Sequence, residues 1–294
     1  GRPSDNPLII HIADMEHLDK IVESVPQKVK VLAEAFWPGP LTMIMKKSDI
    51  VPTQTTGGLD TVAVRMPSHK LARDFIKAAG GYVAAPSANL SGKPSPTSAK
   101  YVIQDMMGRI DMIIDYKSDE DMDIGLESTI VDTTGDKPMI LRPGYITEEM
   151  LLKVLGEVKT DPTILNVAAD MAPKAPGMKY RHYAPKGELT IVSGEMDKVV
   201  ETINDQVKQA MDKGLKTGVI GTDETVGQYH AHSRKSVGKR LDEASIARRL
   251  YQILREFDDE EVEILYSEAF EQTGVGQAIM NRLLKAAGHK VLSV

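Results

Sequence analysis

From residue 188 onward, short apolar runs alternate with longer amphipathic segments. The apolar runs predict strands at Leu189–Val192, Thr217–Ile220 and Val262–Tyr266. The segments with apolar residues at helical spacing predict helices over 195–213, 243–257 and 277–287. Strands that alternate with helices are joined by crossover connections, which favours parallel pairing. This half of the chain is therefore expected to form a small parallel α/β domain.

The first half of the chain mixes short strands and helices less regularly. Helices are predicted over 15–24, 27–36, 69–80, 97–107 and 147–155, and Thr147 is the expected N-cap of the last one. Strands are predicted over 8–13, 41–45, 61–65, 82–85, 112–115, 128–132 and 139–142. Periodicity is lost from about 156 to 187, where prolines recur. We therefore predict an α/β protein with domains at 1–160 and 188–294 and a linker at 161–187.

Composition excludes several classes of protein. The chain has 294 residues, 41% of them hydrophobic and 27% charged, which is typical of globular proteins. It contains no cysteine, so disulfides and thiolate metal sites are excluded and a cytoplasmic location is expected. No apolar run approaches the length of a membrane span. The net charge of −6 argues against strong non-specific binding to nucleic acid, although a local basic patch would allow weak contact with RNA.

The segment Pro86–Ser95 is a candidate ligand loop. It follows the predicted strand 82–85 and holds three serines, one asparagine and one glycine. Loops at the carboxyl ends of strands are frequent ligand sites, and uncharged donors suit phosphate or carboxylate oxygens. The alternative is a solvated turn, because the same residues are common in turns.

Three arginines accompany hydroxyl residues at the ends of predicted strands: Arg2, Arg65 and Arg142. The planar guanidinium group binds carboxylates and phosphates through two hydrogen bonds. Arg65 ends an apolar strand and so does not fit a solvated face; a buried structural salt bridge is its alternative role. Arginines and hydroxyls without an evident nucleophile favour positioning and charge stabilisation, as in phosphoryl or nucleotidyl transfer.

Other motifs are weaker. No Walker sequence is present. Gly274 and Gly276 open a helix, but Ile279 occupies the third glycine position of a dinucleotide fingerprint, so close packing is the simpler explanation. His230 and His232 lack a third metal ligand in the sequence nearby.

Several motifs together resemble a known family. The residues that carry the resemblance are Arg2–Leu8, Trp37–Thr42, Pro86–Asn89, Glu127–Ile130, Leu141–Gly144, Pro176–Pro185 and Gly274–Leu283. They resemble the two-domain threonylcarbamoyl-AMP synthases, in which a YrdC-like domain precedes a C-terminal α/β domain. The resemblance implies a twisted, open mixed sheet with helices, followed by a smaller Rossmann-like parallel domain. It covers essentially the whole chain.

The resemblance also implies an activity and its site. L-threonine, bicarbonate and ATP, with Mg²⁺, would give threonylcarbamoyl-adenylate and pyrophosphate, for the modification of adenosine 37 in tRNAs that read ANN codons. Positions that match nucleotide contacts are Arg2, Asn6, Thr61, Ser87, Ser95, Arg142 and Tyr183. Tyr183, with His182 beside it, is expected to close over the nucleotide from the linker. Positions that match threonine contacts are His11, Arg65 and Ser128. The residues expected to carry the chemistry are Arg2, Ser87, Asn89 and Arg142.

The family pattern includes a strand and a lysine upstream of Arg2, and neither occurs here, so we expect that the sequence is a fragment or that residues went unrecorded.

The alternative function is an RNA-binding or regulatory YrdC-like module without catalysis. A hydrogenase-maturation carbamoyl transferase would bring a zinc finger, which the absence of cysteine excludes. The C-terminal domain is expected to position the linker, to meet the downstream tRNA threonylcarbamoyl transferase machinery or to stabilise the fold.

Overall fold

The computed structural model describes residues 2–115, 124–164 and 183–294. In chain order its α-helices are α1 (Leu18–Ile21), α2 (Gln27–Phe36), α3 (Lys70–Ala78), α4 (Ala99–Met106), α5 (Glu148–Leu155), α6 (Met196–Asp212), α7 (Glu243–Asp259) and α8 (Gly274–Ala286). Its strands are β1 (Ile9–Ile12), β2 (Leu41–Lys46), β3 (Thr61–Arg65), β4 (Tyr82–Ala85), β5 (Thr129–Asp132), β6 (Met139–Arg142), β7 (Lys159–Thr160), β8 (Glu188–Ser193), β9 (Thr217–Gly221), β10 (Ser233–Ser236), β11 (Ile264–Glu268) and β12 (Val291–Ser293). None of the described helices combines the length and the apolarity that crossing a bilayer requires.

The described residues form two compact units. The first contains residues 2–86 and 127–164, and the second contains residues 87–115, 124–126 and 183–294. The segment that begins at Ser87 therefore packs with the C-terminal part of the chain. The predicted domains 1–160 and 188–294 and the linker 161–187 stay predictions, because residues 165–182 lie outside the described ranges.

The first unit is built on a seven-stranded mixed sheet in the order β4-β1-β3-β2-β5-β6-β7. Strand β2 lies at its centre, antiparallel to β3 and parallel to β5, and five of its six residues are buried. Helix α5 begins at the predicted cap, where the Thr147 hydroxyl accepts a hydrogen bond from the Met150 amide at 3.3 Å. Most apolar residues of the strands and helices form a core that includes Leu32, Trp37 and Met43, and other strand residues form a second, smaller cluster.

Two glycines allow the chain to pack closely beside the central strands. A Cβ atom on Gly39 would lie 2.3 Å from the Phe36 carbonyl oxygen, and one on Gly144 would lie 2.5 Å from the Thr129 amide nitrogen. Both distances are shorter than any tolerable contact, so no other residue fits at either position without backbone movement.

The second unit contains a five-stranded sheet in the order β10-β9-β11-β8-β12, with every pair parallel. The predicted alternation of strands and helices and the predicted parallel pairing are confirmed. Helices α7 and α8 pack on this sheet through an apolar core that includes Leu250, Leu254 and Leu283. Together the two sheets confirm the α/β class.

Two local predictions differ from the structure, and three strands were not predicted. Residues 112–115 form no strand, and the helix predicted over 15–24 is a 3₁₀ turn at Met15–His17 followed by the single turn α1. The sequence analysis missed β7, β10 and β12, each of which lies at the edge of a sheet.

Candidate functional site

A single row of paired residues crosses the sheet of the first unit. His11 pairs with Arg65, Arg65 pairs with Thr42, Thr42 pairs with Ile130, and Ile130 pairs with Arg142. Residues that pair directly across neighbouring strands point to the same face of the sheet. The register therefore brings three of the predicted site residues, which lie far apart in the sequence, to one face.

Ser128 joins this row from the residue before β5. Its hydroxyl lies 2.7 Å from the Thr42 hydroxyl, and both residues are buried. The guanidinium group of Arg142 donates to the Ser128 carbonyl oxygen through Nε at 3.1 Å and through Nη2 at 2.9 Å. Nη2 also lies 3.2 Å from the Ser128 hydroxyl. Arg142 and Ser128 are thus fixed relative to each other.

Arg65 is oriented but keeps donors available. Its Nε donates to the Gly39 carbonyl oxygen at 3.1 Å, which sets the plane of the guanidinium group. Within the described chain, its two terminal nitrogens make no hydrogen bond and no carboxylate forms an ion pair with it. The structural salt bridge considered for Arg65 is therefore absent from the described residues. Two parallel donors of this kind match a carboxylate.

The electrostatics of the row favour an anion. Burial lowers the pKa of Arg65 to about 10, and the positive charge of Arg142 contributes to this lowering. Burial also lowers the pKa of His11 to about 4, assisted by the charge of Arg65, although hydrogen bonds to the backbone of Val83 and Ile9 oppose this shift. His11 is therefore neutral at pH 7, and a negative ligand would relieve the repulsion between the two arginines.

A cleft lies beside the segment that precedes β1. Its volume is about 460 Å³, and its lining includes Arg2, Asn6 and Gly57. The Asn6 side-chain oxygen is buried and has no hydrogen-bond partner in the described chain. Burial lowers the pKa of Arg2, whose Nη1 donates to the Asn6 carbonyl oxygen and whose Nη2 donates to that of Pro7 at 2.7 Å. The terminal nitrogens of Arg2 thus bind the backbone of the segment that contains Arg2.

Thr61 is the first residue of β3 and lies at the end of the sheet where β3 begins. Because β1 and β3 are parallel and Ile9 pairs with Ala63, the segment before β1 lies at the same end of the sheet as Thr61. Arg65 lies four residues further along β3, which corresponds to about 13 Å at the rise of an extended strand. The predicted residues of the first unit therefore form two groups, one at the strand starts and one in the row.

The Pro86–Ser95 loop is held largely by its own backbone and by the second unit. The Asn89 amide nitrogen donates to the Ser87 carbonyl oxygen at 3.0 Å, and the Asn89 side-chain nitrogen donates to that of Leu90 at 2.8 Å. The side-chain oxygen of Asn89 is buried without a partner in the described chain. Ser87 is exposed, whereas Ser95 is buried.

Tyr183 is buried in the second unit, with 5% of its surface exposed. Its φ of 66° places it in the left-handed region, which is uncommon for a residue other than glycine. Its ring lies 5.1 Å from the ring of Tyr251 in α7. Its neighbour in the sequence, His182, lies outside the described residues.

The sequence analysis missed residues that contact the predicted site residues or the loop that holds them. Thr42 is one of them, and its signal is a hydroxyl in an otherwise apolar strand directly after Trp37–Pro40. Asp105 and Arg255, which contact the Pro86–Ser95 loop, are the others. No local pattern marks these two, because they lie 150 positions apart in the chain.

The lining of the cleft does not supply the usual protein ligands of Mg²⁺. Its lining residues offer oxygen atoms, including the unpartnered Asn6 Oδ1, but no carboxylate. Mg²⁺ is commonly bound by one or two carboxylates together with substrate phosphates and water, so these residues alone do not fit the ion. Among the described residues, the one acidic and histidine cluster with ligand spacing is Asp14, Glu16 and His17, and Arg73 pairs with Asp14 there.

Comparison with known proteins identifies the family. Residues 1–144 match the family model described as Telomere recombination, and residues 146–288 match the one described as Threonylcarbamoyl-AMP synthase, C-terminal domain. The threonylcarbamoyl-AMP synthase of Pyrococcus abyssi is 46% identical over 294 residues, which are 100% of this chain and 84% of that protein. That of Bacillus subtilis is 45% identical over 293 residues, or 99% of this chain and 82% of that protein.

A solved structure gives the same result. The crystal structure of Pyrococcus abyssi Sua5 complexed with L-threonine matches with a TM-score of 0.92 and 44% identity over 100% of this chain and 84% of that one. The likeness extends over both units. The chain therefore belongs to the threonylcarbamoyl-AMP synthases, enzymes of the nucleotidyltransferase type, as its motifs indicated.

Proposed function

We propose that this chain makes L-threonylcarbamoyladenylate and pyrophosphate from L-threonine, bicarbonate and ATP. The observation that carries the proposal is the pair of unbonded terminal nitrogens on Arg65, which lies in a row with Arg142 and Ser128. An L-threonine complex is known for the Pyrococcus abyssi relative. In the proposed site the threonine carboxylate accepts two hydrogen bonds from Arg65, and the neutral His11 and the Ser128 hydroxyl bind its polar groups.

The reaction requires two steps. The deprotonated threonine amine attacks bicarbonate and gives a carbamate with loss of water. A carbamate oxygen then attacks the α-phosphorus of ATP, and pyrophosphate leaves with the electrons of the broken P–O bond. Arg142 and Arg2 would stabilise the negative charge of the phosphates, and Mg²⁺ carried by ATP would neutralise part of it.

The remaining contacts follow the resemblance. Asn6 and Thr61 lie at the strand starts and are proposed to bind the nucleotide. In the second unit, Ser87, Ser95 and Tyr183 are proposed as nucleotide contacts, and Ser87 and Asn89 are proposed to take part in the chemistry. Use of the product for tRNA modification, weak contact with RNA, contact with the downstream transferase machinery and a cytoplasmic location stay predictions.

The direct test measures pyrophosphate release with ATP and Mg²⁺ while threonine or bicarbonate is omitted in turn. Release that depends on both substrates supports the proposal, and the Arg65→Met substitution should abolish this release of pyrophosphate. The matched control is Arg249→Met, because Arg249 is exposed on α7 in the second unit. Release that persists without threonine would contradict the proposal, and the absence of release under all conditions would favour the RNA-binding alternative.

A further inference from the structure

Helix α7 contacts a buried carboxylate next to the Pro86–Ser95 loop. Arg255 Nη1 and Nη2 donate to the two oxygens of Asp105 at 3.2 and 2.8 Å, and Nε donates to the Pro94 carbonyl oxygen at 2.8 Å. Arg255 is 3% exposed and Asp105 is 1% exposed. The arginine therefore uses all three of its guanidinium nitrogens inside the second unit.

Asp105 also binds the Pro86–Ser95 loop. Its carboxylate accepts from the Leu90 amide at 3.2 Å and from Lys93 Nζ at 2.7 Å, in addition to the two bonds from Arg255. Burial alone would raise the pKa of Asp105, but the hydrogen bonds from Arg255 and Lys93 outweigh it and lower the pKa. The loop is thus tied to a charged carboxylate at two positions and to Arg255 at a third.

The same helix face also holds Tyr183. Tyr251 lies four residues before Arg255, which is one turn of α7, and its ring contacts the ring of Tyr183 at a centroid distance of 5.1 Å. The amide of Ala184, which follows Tyr183, donates to the Gly92 carbonyl oxygen of the loop at 3.1 Å. One turn of α7 therefore fixes both the loop and the tyrosine.

We propose that Arg255 is a positioning residue for ATP, which acts through Asp105 on the Pro86–Ser95 loop. The inference rests on the proposed function, which assigns Ser87, Ser95 and Tyr183 to the nucleotide and Asn89 to the chemistry. The C-terminal domain thereby gains a specific role, because α7 supplies the rigid support for a loop that is far away in the sequence. Small displacements of positioning groups reduce the rate of catalysis strongly, so loss of this support should weaken the use of ATP.

The test uses the double variant Asp105→Leu with Arg255→Met. Replacing both members of a buried ion pair by apolar residues preserves folding better than replacing one. We expect the KM for ATP to rise by about 10- to 100-fold while the dissociation constant for L-threonine stays unchanged. Arg255→Lys, which keeps the charge but not the two parallel bonds, should give a smaller rise. The control Arg249→Met, exposed on the same helix, should leave both values unchanged.

A Ser87→Ala variant separates this inference from the proposed function. If Ser87→Ala leaves the KM for ATP unchanged, the assignment of the loop to the nucleotide is wrong. If Ser87→Ala raises that KM but the folded double variant and Arg255→Lys do not, the positioning role is overturned. An equal loss of affinity for threonine and ATP in the double variant would also overturn it, because it would indicate a merely structural role.

Discussion

Replacement of His11 by glutamine should reduce the acid sensitivity of the first unit. Burial and the charge of Arg65 lower the pKa of His11 to about 4, whereas an unfolded histidine titrates near 6.5. Between these values the unfolded state binds more protons than the folded state, so stability falls as the pH falls. The linkage relation gives a loss of about 2 kcal/mol between about pH 7 and about pH 5, and about 3 kcal/mol below about pH 4.

The single tryptophan provides the assay. Trp37 is buried in the core of the first unit, so its fluorescence during urea unfolding reports on that unit. The protein with His11 should lose about 2 kcal/mol more than His11→Gln between about pH 7 and about pH 5. Arg65→Met should reduce this difference but not abolish it, because burial is the larger cause of the shift. Equal pH dependence of the parent and His11→Gln proteins would refute the reasoning.

Other substitutions test the site and the two units. Arg65→Lys should weaken L-threonine binding by about 10- to 100-fold in calorimetry, because a lysine offers no pair of parallel donors. Gly144→Ala should destabilise the first unit by about 1–3 kcal/mol in the tryptophan assay, since its Cβ would overlap the Thr129 amide. Glu268→Gln should cost the second unit about 3–5 kcal/mol, measured by hydrogen exchange, because the Arg240 guanidinium loses its buried carboxylate partner.

The strands that the sequence predicted and those it missed differ in their place in the sheets. Strand β2 is buried along almost its whole length, so its apolar run is unambiguous. The missed strands β7, β10 and β12 are edge strands, and edges need fewer apolar residues; β10 reads Ser-Arg-Lys-Ser. The converse error is Met112–Asp115, where Met112 and Ile114 are 75% and 51% exposed. An apolar run becomes a strand only where a neighbouring strand pairs with it.

The three arginines of the predicted site show what sequence reasoning cannot supply. In the sequence they look alike, since each lies close to an end of a predicted strand. In the structure, the terminal nitrogens of Arg2 bind carbonyl oxygens of its own loop, and Arg142 is anchored on Ser128. Arg65 uses only Nε on a backbone oxygen and keeps its two parallel donors. A carboxylate site is defined by donors that the fold leaves without a hydrogen bond. Which donors remain unbonded depends on contacts between residues that are distant in the chain.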